Sequence, residues 1–181
     1  LTAVEHPCQA LADAQTIVEH HGSVSGIKVA FIGDGNNVAT SLGYAVAGLG
    51  GHLSVASPSG YELPDEALQH ANTYGTAAGG SVTRMTRPQD AVIDADIVYT
   101  DVWISMGQER ETAKRLADFG GYQVDTALLD QAGTTVKFMH DLPAHPGEEI
   151  ADGLLNDPRS IVFDQAENRL WAQAALMEKL I

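Results

Sequence analysis

The side chains best suited to chemistry lie in loops that follow short apolar runs. One of these loops, residues 101–107, has the sequence DVWISMG. The Asp101 carboxylate in this loop could accept a charge-assisted hydrogen bond from the ammonium group of an amino acid. Ser105 adds a hydroxyl group, and Met106 adds backbone groups. The simpler interpretation is that Asp101 caps the next segment while Trp103 and Met106 pack in the interior.

A second polar loop, residues 33–37, has the sequence GDGNN and follows the apolar run 28–32. It departs from the dinucleotide-binding pattern GxGxxG because Val38 stands in the third glycine's place, which disfavours a nicotinamide cofactor. The amide groups of Asn36 and Asn37 both donate and accept hydrogen bonds, which suits a zwitterionic ligand. Asparagine also caps helices well, so we expect one of the pair to cap and the other to remain for a ligand.

Three further groups are typical of sites that hold a carbonyl or a phosphate. His6 and Gln9 lie three residues apart at the start of a predicted helix, where free N–H groups favour an anion. Arg169 begins the last predicted helix and could grip a carbonyl or phosphate with two hydrogen bonds. The segment 140–143, HDLP, ends the last predicted strand. The simpler interpretation is a surface histidine, a capping glutamine and a solvated arginine.

Strand-like and helix-like runs alternate along the chain, which predicts βαβ units. We therefore predict an α/β fold: a doubly wound, mainly parallel five-stranded sheet with helices on both faces, Rossmann-like. In such sheets ligands bind at the carboxyl ends of the strands, where the polar loops fall. The predicted strands are 28–32, 52–56, 79–85, 96–100 and 135–139, with a short extended piece at 160–163. The predicted helices are 4–21, 39–48, 64–74, 87–95, 109–119, 126–132 and 165–180.

The amino-acid composition argues against several classes of function. The 181 residues carry 24 acidic and 10 basic side chains, a net charge of −14, which argues against nucleic-acid binding. No apolar run reaches the ~18 residues needed to span a membrane. The single cysteine, Cys8, excludes an internal disulfide framework and suits a reducing, cytoplasmic setting. The chain has neither an HExxH metal motif nor a GxSxG nucleophile elbow, so we expect no metal site and no serine hydrolase.

Five segments in order resemble the transcarbamylase family, and the segment DVWISMG resembles its ornithine branch. The resemblance implies that residues 1–181 are a single ornithine-binding domain, with a linking helix at 1–21 and a terminal helix at 165–180. The family transfers the carbamoyl group of carbamoyl phosphate to the δ-amino group of ornithine, giving citrulline and phosphate, without a metal or organic cofactor. The five segments are HPCQ with LAD (6–9, 11–13), GDGNN with Ser41, DVWISMG (101–107), HDLP (140–143), and Phe163 with AENR (166–169).

The resemblance also implies roles for individual residues. The amino-acid end of ornithine is assigned to Asn37, Asp101, Ser105 and Met106. The polarisation and positioning of the carbamoyl group are assigned to His6, Gln9 and Arg169, and a backbone carbonyl contact to Leu142. Donors aimed at the developing oxyanion should dominate the rate of such a reaction.

The chain departs from the family pattern at Asp141, which stands where the family usually has a cysteine beside the reactive amine. A carboxylate there would favour the ammonium form, which has no lone pair for attack. We therefore count Asp141 among the catalytic positions, and expect it to slow transfer to ornithine or to change the substrate. Two alternatives stay open: a carbamoyltransferase for another amine, such as putrescine, and an amino-acid-binding remnant without catalysis.

The second departure is the absence of the family's phosphate-binding segment, STRT, which belongs to an N-terminal domain. From the sequence we expect the isolated chain to bind carbamoyl phosphate poorly and not to catalyse. Family members form trimers through that domain, so we expect a homotrimeric longer protein and a monomeric fragment. Beyond ornithine and carbamoyl phosphate we expect neither a nucleic acid nor a membrane as partner.

Overall fold

A computed structural model describes residues 2–105 and 107–181 of the chain. Met106, which the sequence assigns to the ligand, lies outside these residues. Within them, no helix has the length and apolar character needed to cross a membrane.

Among the described residues, five parallel strands form one sheet with the order β3-β2-β1-β4-β5. This arrangement confirms the doubly wound, Rossmann-like fold predicted from the alternation of strands and helices. The strands are β1 (Lys28–Ile32), β2 (His52–Ala56), β3 (Ser81–Met85), β4 (Ile97–Thr100) and β5 (Lys137–His140).

In the described part of the chain, seven α-helices and two short 3₁₀ segments connect and cover the strands. The helices are α1 (Pro7–His21), α2 (Asn37–Gly48), α3 (Asp65–Ala78), α4 (Pro88–Ala91), α5 (Thr112–Asp118), α6 (Thr126–Ala132) and α7 (Val162–Leu180). The 3₁₀ segments are Glu109–Glu111 and Leu154–Asn156.

The sheet has an apolar core on each face. Side chains of α1, α2 and α3, including Ile17, Leu42 and Ala71, pack on one face. Side chains of α4 and α6, including Ala91 and Leu129, pack on the other. All four residues of β4 are buried because this strand lies between the two layers, which explains its lack of polar alternation.

The strand order reverses between β1 and β4. The chain leaves β1 towards β2 on one side and returns through β4 on the other, so the loops after β1 and β4 diverge and leave a crevice at the carboxyl ends of these strands. The loops 33–36 and 101–105 border this crevice.

Several predicted boundaries are wrong. The first helix begins at Pro7 rather than residue 4, and the helix predicted for 87–95 covers only Pro88–Ala91. The extended piece predicted for 160–163 is reduced to one bridge between Ser160 and Phe138, because α7 already begins at Val162.

Candidate functional site

A cavity of about 710 Å³ lies at the crevice between the carboxyl ends of β1 and β4. Most of the residues that the sequence assigns to the ligand line it: His6, Asn37, Asp101, Ser105, Asp141 and Leu142. The remaining lining residues are Thr2, Ala3, Val38, Val102, Ile104, Gln108, Pro143 and His145. Gln9 and Arg169 do not line the cavity.

Gly35 brings the first loop close to the loop that follows β2. Its N–H donates to the carbonyl oxygen of Tyr61 at 2.8 Å. A Cβ atom at this position would lie 2.2 Å from the backbone nitrogen of Leu63, so only glycine fits here. The glycine therefore fixes where the next two residues meet the cavity.

One of the two asparagines caps a helix, as predicted for the pair. The Asn36 side chain caps α2 by accepting from the N–H groups of Val38 and Ala39, at 3.0 and 3.2 Å. Its Nδ2 group donates to Oδ2 of Asp101 at 2.6 Å. Asn37 lines the cavity, where its amide donates to the carbonyl oxygen of Thr2 at 2.8 Å. Asn36 thus links the loop after β1 to the loop after β4.

Asp101 is held in one orientation at the cavity wall. Its Oδ1 accepts from the N–H of Val102 at 2.6 Å, and Asn36 fixes the other oxygen. Further along the loop, Gln108 accepts from the N–H of Ser105 at 3.0 Å. Trp103 is buried and stacks on Phe119 with ring centroids 5.5 Å apart, so its role is packing. These contacts hold the Asp101 carboxylate and the Ser105 backbone in position.

Arg115 ties this loop to the loop after β1, a role that the sequence did not indicate. Its guanidinium group donates to Oδ2 of Asp34 at 2.7 Å and to the carbonyl oxygen of Trp103 at 2.8 Å. Burial raises the pKa of Asp34, and the hydrogen bond and charge of Arg115 oppose that rise. The predicted helix at 109–119 is amphipathic and charged, and its pattern does not distinguish the one arginine that turns inward.

Replacing Arg115 with Met should lower the free energy of unfolding by about 3 kcal/mol, because the carboxylate of Asp34 would remain buried without its partner. Denaturant titration of the variant measures this loss. The matched control is Arg110→Met, which removes an exposed arginine from the neighbouring 3₁₀ segment and should change stability by less than about 0.5 kcal/mol. Equal effects of the two changes would show that the buried ion pair does not hold the loops together.

The loop after β5 carries a second carboxyl group into the cavity. Burial first, and then the neighbouring Asp101 carboxyl, raise the pKa of Asp141 well above its ordinary value. Nδ1 of His140 lies 3.6 Å from Oδ1 of Asp141 and accepts from the N–H of Leu142 at 2.9 Å. Asp141 therefore favours its protonated form when no cation is near, which refines the prediction that it acts as a carboxylate.

Of the three residues predicted to hold a carbonyl, Gln9 and Arg169 belong to a partly buried hydrogen-bond network outside the cavity. Nε2 of Gln9 donates to Asp13 at 2.8 Å, and Oε1 of Gln9 accepts from Arg169. With its amide oriented to satisfy both ends, Gln173 also accepts from Arg169, twice at 3.0 Å. His6 alone of the three lines the cavity, and burial, followed by the charge of Arg169, lowers the pKa of His6.

Asp13 is the centre of this network, and sequence reasoning missed it as a supporting residue. Its carboxyl group is fully buried and accepts from Gln9, from Gln165 at 2.7 Å and from the hydroxyl of Tyr99 at 3.3 Å. Burial raises the pKa of Asp13 to about 7, against these hydrogen bonds. Gln165 also accepts from the N–H of His140 at 2.9 Å, so α1 and α7 are connected to the end of β5.

Comparison with known proteins adds independent information. The family model described as "Aspartate/ornithine carbamoyltransferase, Asp/Orn binding domain" matches residues 25–180. The ornithine carbamoyltransferase of Bacillus subtilis (strain 168) is 51% identical over 181 residues, which are 100% of this chain and 57% of the relative. That of Methanoculleus marisnigri is 51% identical over 176 residues, 97% of this chain and 56% of the relative.

Solved structures agree with these relatives. The ornithine carbamoyltransferase from Pyrococcus furiosus superposes with a TM-score of 0.92 at 48% identity, over 97% of this chain and 56% of that one. A structure of N-acetyl-L-ornithine transcarbamylase gives a TM-score of 0.85 at 27% identity, over 98% of this chain and 57% of that one. The chain thus spans between half and two thirds of the length of the proteins it resembles.

Proposed function

The chain belongs to the aspartate/ornithine carbamoyltransferase family, and we propose that its cavity binds L-ornithine for carbamoyl transfer from carbamoyl phosphate, giving citrulline and phosphate. The proposed reaction is a step of arginine biosynthesis. The observation that carries the proposal is the orientation of Asp101, whose carboxylate Asn36 and the Val102 N–H hold at the wall of the cavity.

The groups around Asp101 suit the zwitterionic end of an amino acid. Its carboxylate would pair with the α-ammonium group, and the Ser105 hydroxyl would add a second acceptor. The Asn37 amide would exchange its contact with the Thr2 carbonyl for the substrate's α-carboxylate. The Asp101 carboxylate is already oriented by Asn36 and the Val102 N–H without a ligand, so little ordering entropy is lost at this group on binding.

The carbamoyl end of the reaction would lie towards α1. His6, with its lowered pKa, faces the cavity as a neutral ring that can hydrogen-bond to the carbamoyl oxygen, and its buried Nδ1 has no partner among the described residues. Arg169 would support the same oxygen once it exchanges part of its contact with Gln9. The Leu142 carbonyl would accept from the attacking amine. Holding the amine and the carbamoyl carbon in line supplies much of the remaining acceleration.

A second candidate, a carbamoyltransferase for a different amine, is favoured by one feature. Asp141 adds a second carboxyl group to the cavity beside Asp101. Two adjacent carboxyl groups suit a ligand with two ammonium groups and no carboxylate, such as putrescine. The two candidates differ in what Asn37 would do, because putrescine offers that amide no charged acceptor.

Calorimetric titration of the full chain with ornithine and with putrescine tests both candidates. Ornithine should bind, and Asp101→Asn should weaken its binding about 10- to 100-fold, because one charge-assisted hydrogen bond contributes about 1.5–3 kcal/mol. Asp152→Asn removes an exposed carboxylate outside the cavity and serves as the control. Tighter binding of putrescine would favour the second candidate, and unchanged ornithine affinity in Asp101→Asn would contradict the first.

A further inference from the structure

The loop after β5 gathers a group of potential metal ligands that the sequence did not indicate. His145, Glu148 and Glu149 each offer one ligand atom, and these atoms lie within 4.8 Å of one another. Sequence reasoning predicted no metal site because it looked for ligands spaced along a helix. These residues instead lie in consecutive turns, in which the Glu148 N–H donates to the carbonyl oxygen of His145 at 3.0 Å and the Gly147 N–H to that of Ile150 at 2.8 Å.

Glu149 supplies the observation that points to a ligand. Its side chain is fully buried, and its two oxygens differ in their partners. Oε1 accepts from Nε2 of His140 at 3.2 Å and from the backbone N–H of His145. Oε2 is buried and has no hydrogen-bond partner within residues 2–105 and 107–181. A buried carboxylate oxygen without a partner is costly, so a cation beside it would stabilise the fold.

Of the three ligand atoms, which lie within 4.8 Å of one another, those of His145 and Glu149 are nearly close enough to share an ion. Nδ1 of His145 lies 3.7 Å from Oε2 of Glu149. Two ligand atoms on a tetrahedral zinc ion with bonds of about 2.0–2.2 Å are about 3.4 Å apart, so these atoms need to approach by only about 0.3 Å. The His145 side chain is half exposed, and Glu148 is partly exposed, which leaves both free to adjust.

We propose that His145, Glu148 and Glu149 bind a divalent transition-metal ion. One imidazole nitrogen and two carboxylate oxygens suit Zn²⁺, Co²⁺ or Ni²⁺, whereas Mg²⁺ and Ca²⁺ prefer oxygen ligands throughout. His140, whose Nε2 contacts Oε1 of Glu149, then orients this ligand, as partners of metal ligands commonly do. Because His145 also lines the cavity, the ion braces the loop that carries Asp141 and Leu142.

Zinc titration of the chelator-treated full chain tests this site, with a fluorescent zinc indicator as competitor. The Cys8→Ser background removes the single thiol, a competing zinc ligand. We expect one zinc ion per chain and a rise in thermal midpoint on zinc addition. Glu148→Gln and His145→Ala should each weaken zinc binding about tenfold or more, since even loss of a supporting partner costs that much. His70→Ala, which removes an exposed histidine on α3, should leave it unchanged.

Because two ligand positions are changed separately, the test still gives an answer if one of the two variants folds poorly. Glu148→Gln preserves size and leaves the backbone contact of Glu148 with Gln123 in place, so circular dichroism should match the parent. Cobalt binding gives a second readout, because four-coordinate Co²⁺ absorbs visible light with an intensity that six-coordinate Co²⁺ lacks. Absence of zinc binding, or equal binding by the parent, Glu148→Gln and His145→Ala, would overturn the proposal without affecting the assignment of ornithine to the cavity.

Discussion

The Asp13→Asn variant is expected to gain stability relative to the parent as the pH rises. The difference between their free energies of unfolding should favour the variant by about 4 kcal/mol more at pH 8 than at pH 4. The expectation follows from the pKa of Asp13, which burial raises to about 7 from the usual 3.8. A difference of about 3 pKa units corresponds to about 4 kcal/mol.

The sign follows from proton binding. Because the folded state holds the Asp13 proton more tightly than the unfolded state, the stabilisation due to that proton is complete below pH 3.8. It is lost as the pH rises towards 7, where the carboxylate must stay charged in the core. An asparagine has no such proton, and its amide oxygen can accept from Gln9 and Gln165 as Oδ1 of Asp13 does. The Tyr99 hydroxyl can accept from the new amide group.

Denaturant titration of the parent and the variant at pH values from 4 to 8 measures the difference. Subtracting the free energy of unfolding of the parent from that of the variant at each pH cancels the contributions of all the other titrating groups, which both chains share. Asp152→Asn, at an exposed position, removes the same formal charge and should show a difference below about 0.5 kcal/mol throughout. A constant difference for Asp13→Asn across the pH range would mean that the carboxyl group is solvated in the folded chain.

Burying an acidic side chain at this position is unfavourable, and a role of Asp13 in the site accounts for its presence. Through Gln9 the Asp13 carboxyl holds Arg169, and through Gln165 it holds the backbone of His140. Groups on α1, α7 and β5 are therefore positioned by one carboxyl. An asparagine keeps an acceptor for Gln9 and Gln165, so the Asp13→Asn variant should still fold and is a suitable chain in which to ask whether this positioning matters for activity.

The sheet could be predicted from the sequence because its strands are short, apolar and separated by glycine-containing turns. The predicted strand at 28–32 and the predicted strand at 52–56 are confirmed residue for residue. The parallel arrangement then places the loops after β1 and β4 at one edge, and both Asn37 and Asp101 line the cavity there. Element type and loop position thus follow from local patterns.

The supporting residues could not be predicted because their partners are distant in sequence. Gln9 and Arg169 are separated by 160 positions and joined by a hydrogen bond. Asp13 and Arg115 lie on amphipathic helices, where a charged side chain is usually exposed. Only the packing of α1 against α7, and of the loop 101–105 against Asp34, turns these side chains inward.

Ornithine binding is expected to release close to one proton at a pH below the raised pKa of Asp141, and Asp141→Asn is expected to abolish that release. In the free cavity, burial and the Asp101 carboxyl favour the protonated form of Asp141. A bound ammonium group favours the carboxylate, so the proton leaves as the ligand enters. The affinity should therefore rise about tenfold per pH unit in this range, because one proton is released per ligand.

Other titratable groups facing Asp141 do not change the direction of this effect. Asp13 raises the pKa of Asp141 as Asp101 does, and Tyr99 is uncharged because burial raises its pKa. His140 lies 3.6 Å away but directs its Nδ1 lone pair to the N–H of Leu142, so it does not donate to Asp141 from that atom. Burial, followed by the neighbouring Asp101 carboxyl, therefore sets the direction in which the pKa of Asp141 shifts.

Calorimetry in two buffers with different ionisation enthalpies counts the released protons at a fixed pH. Norvaline is the matched ligand, because it keeps the amino-acid end of ornithine and lacks the δ-ammonium group. If Asp141 meets the δ-ammonium, ornithine releases the proton and norvaline does not. If it meets the α-ammonium, both ligands release it. If the parent and Asp141→Asn release equal numbers of protons, the released proton comes from a group other than Asp141. There would then be no physical reason to expect Asp141 to hold ornithine's reactive amine in its unreactive, protonated form.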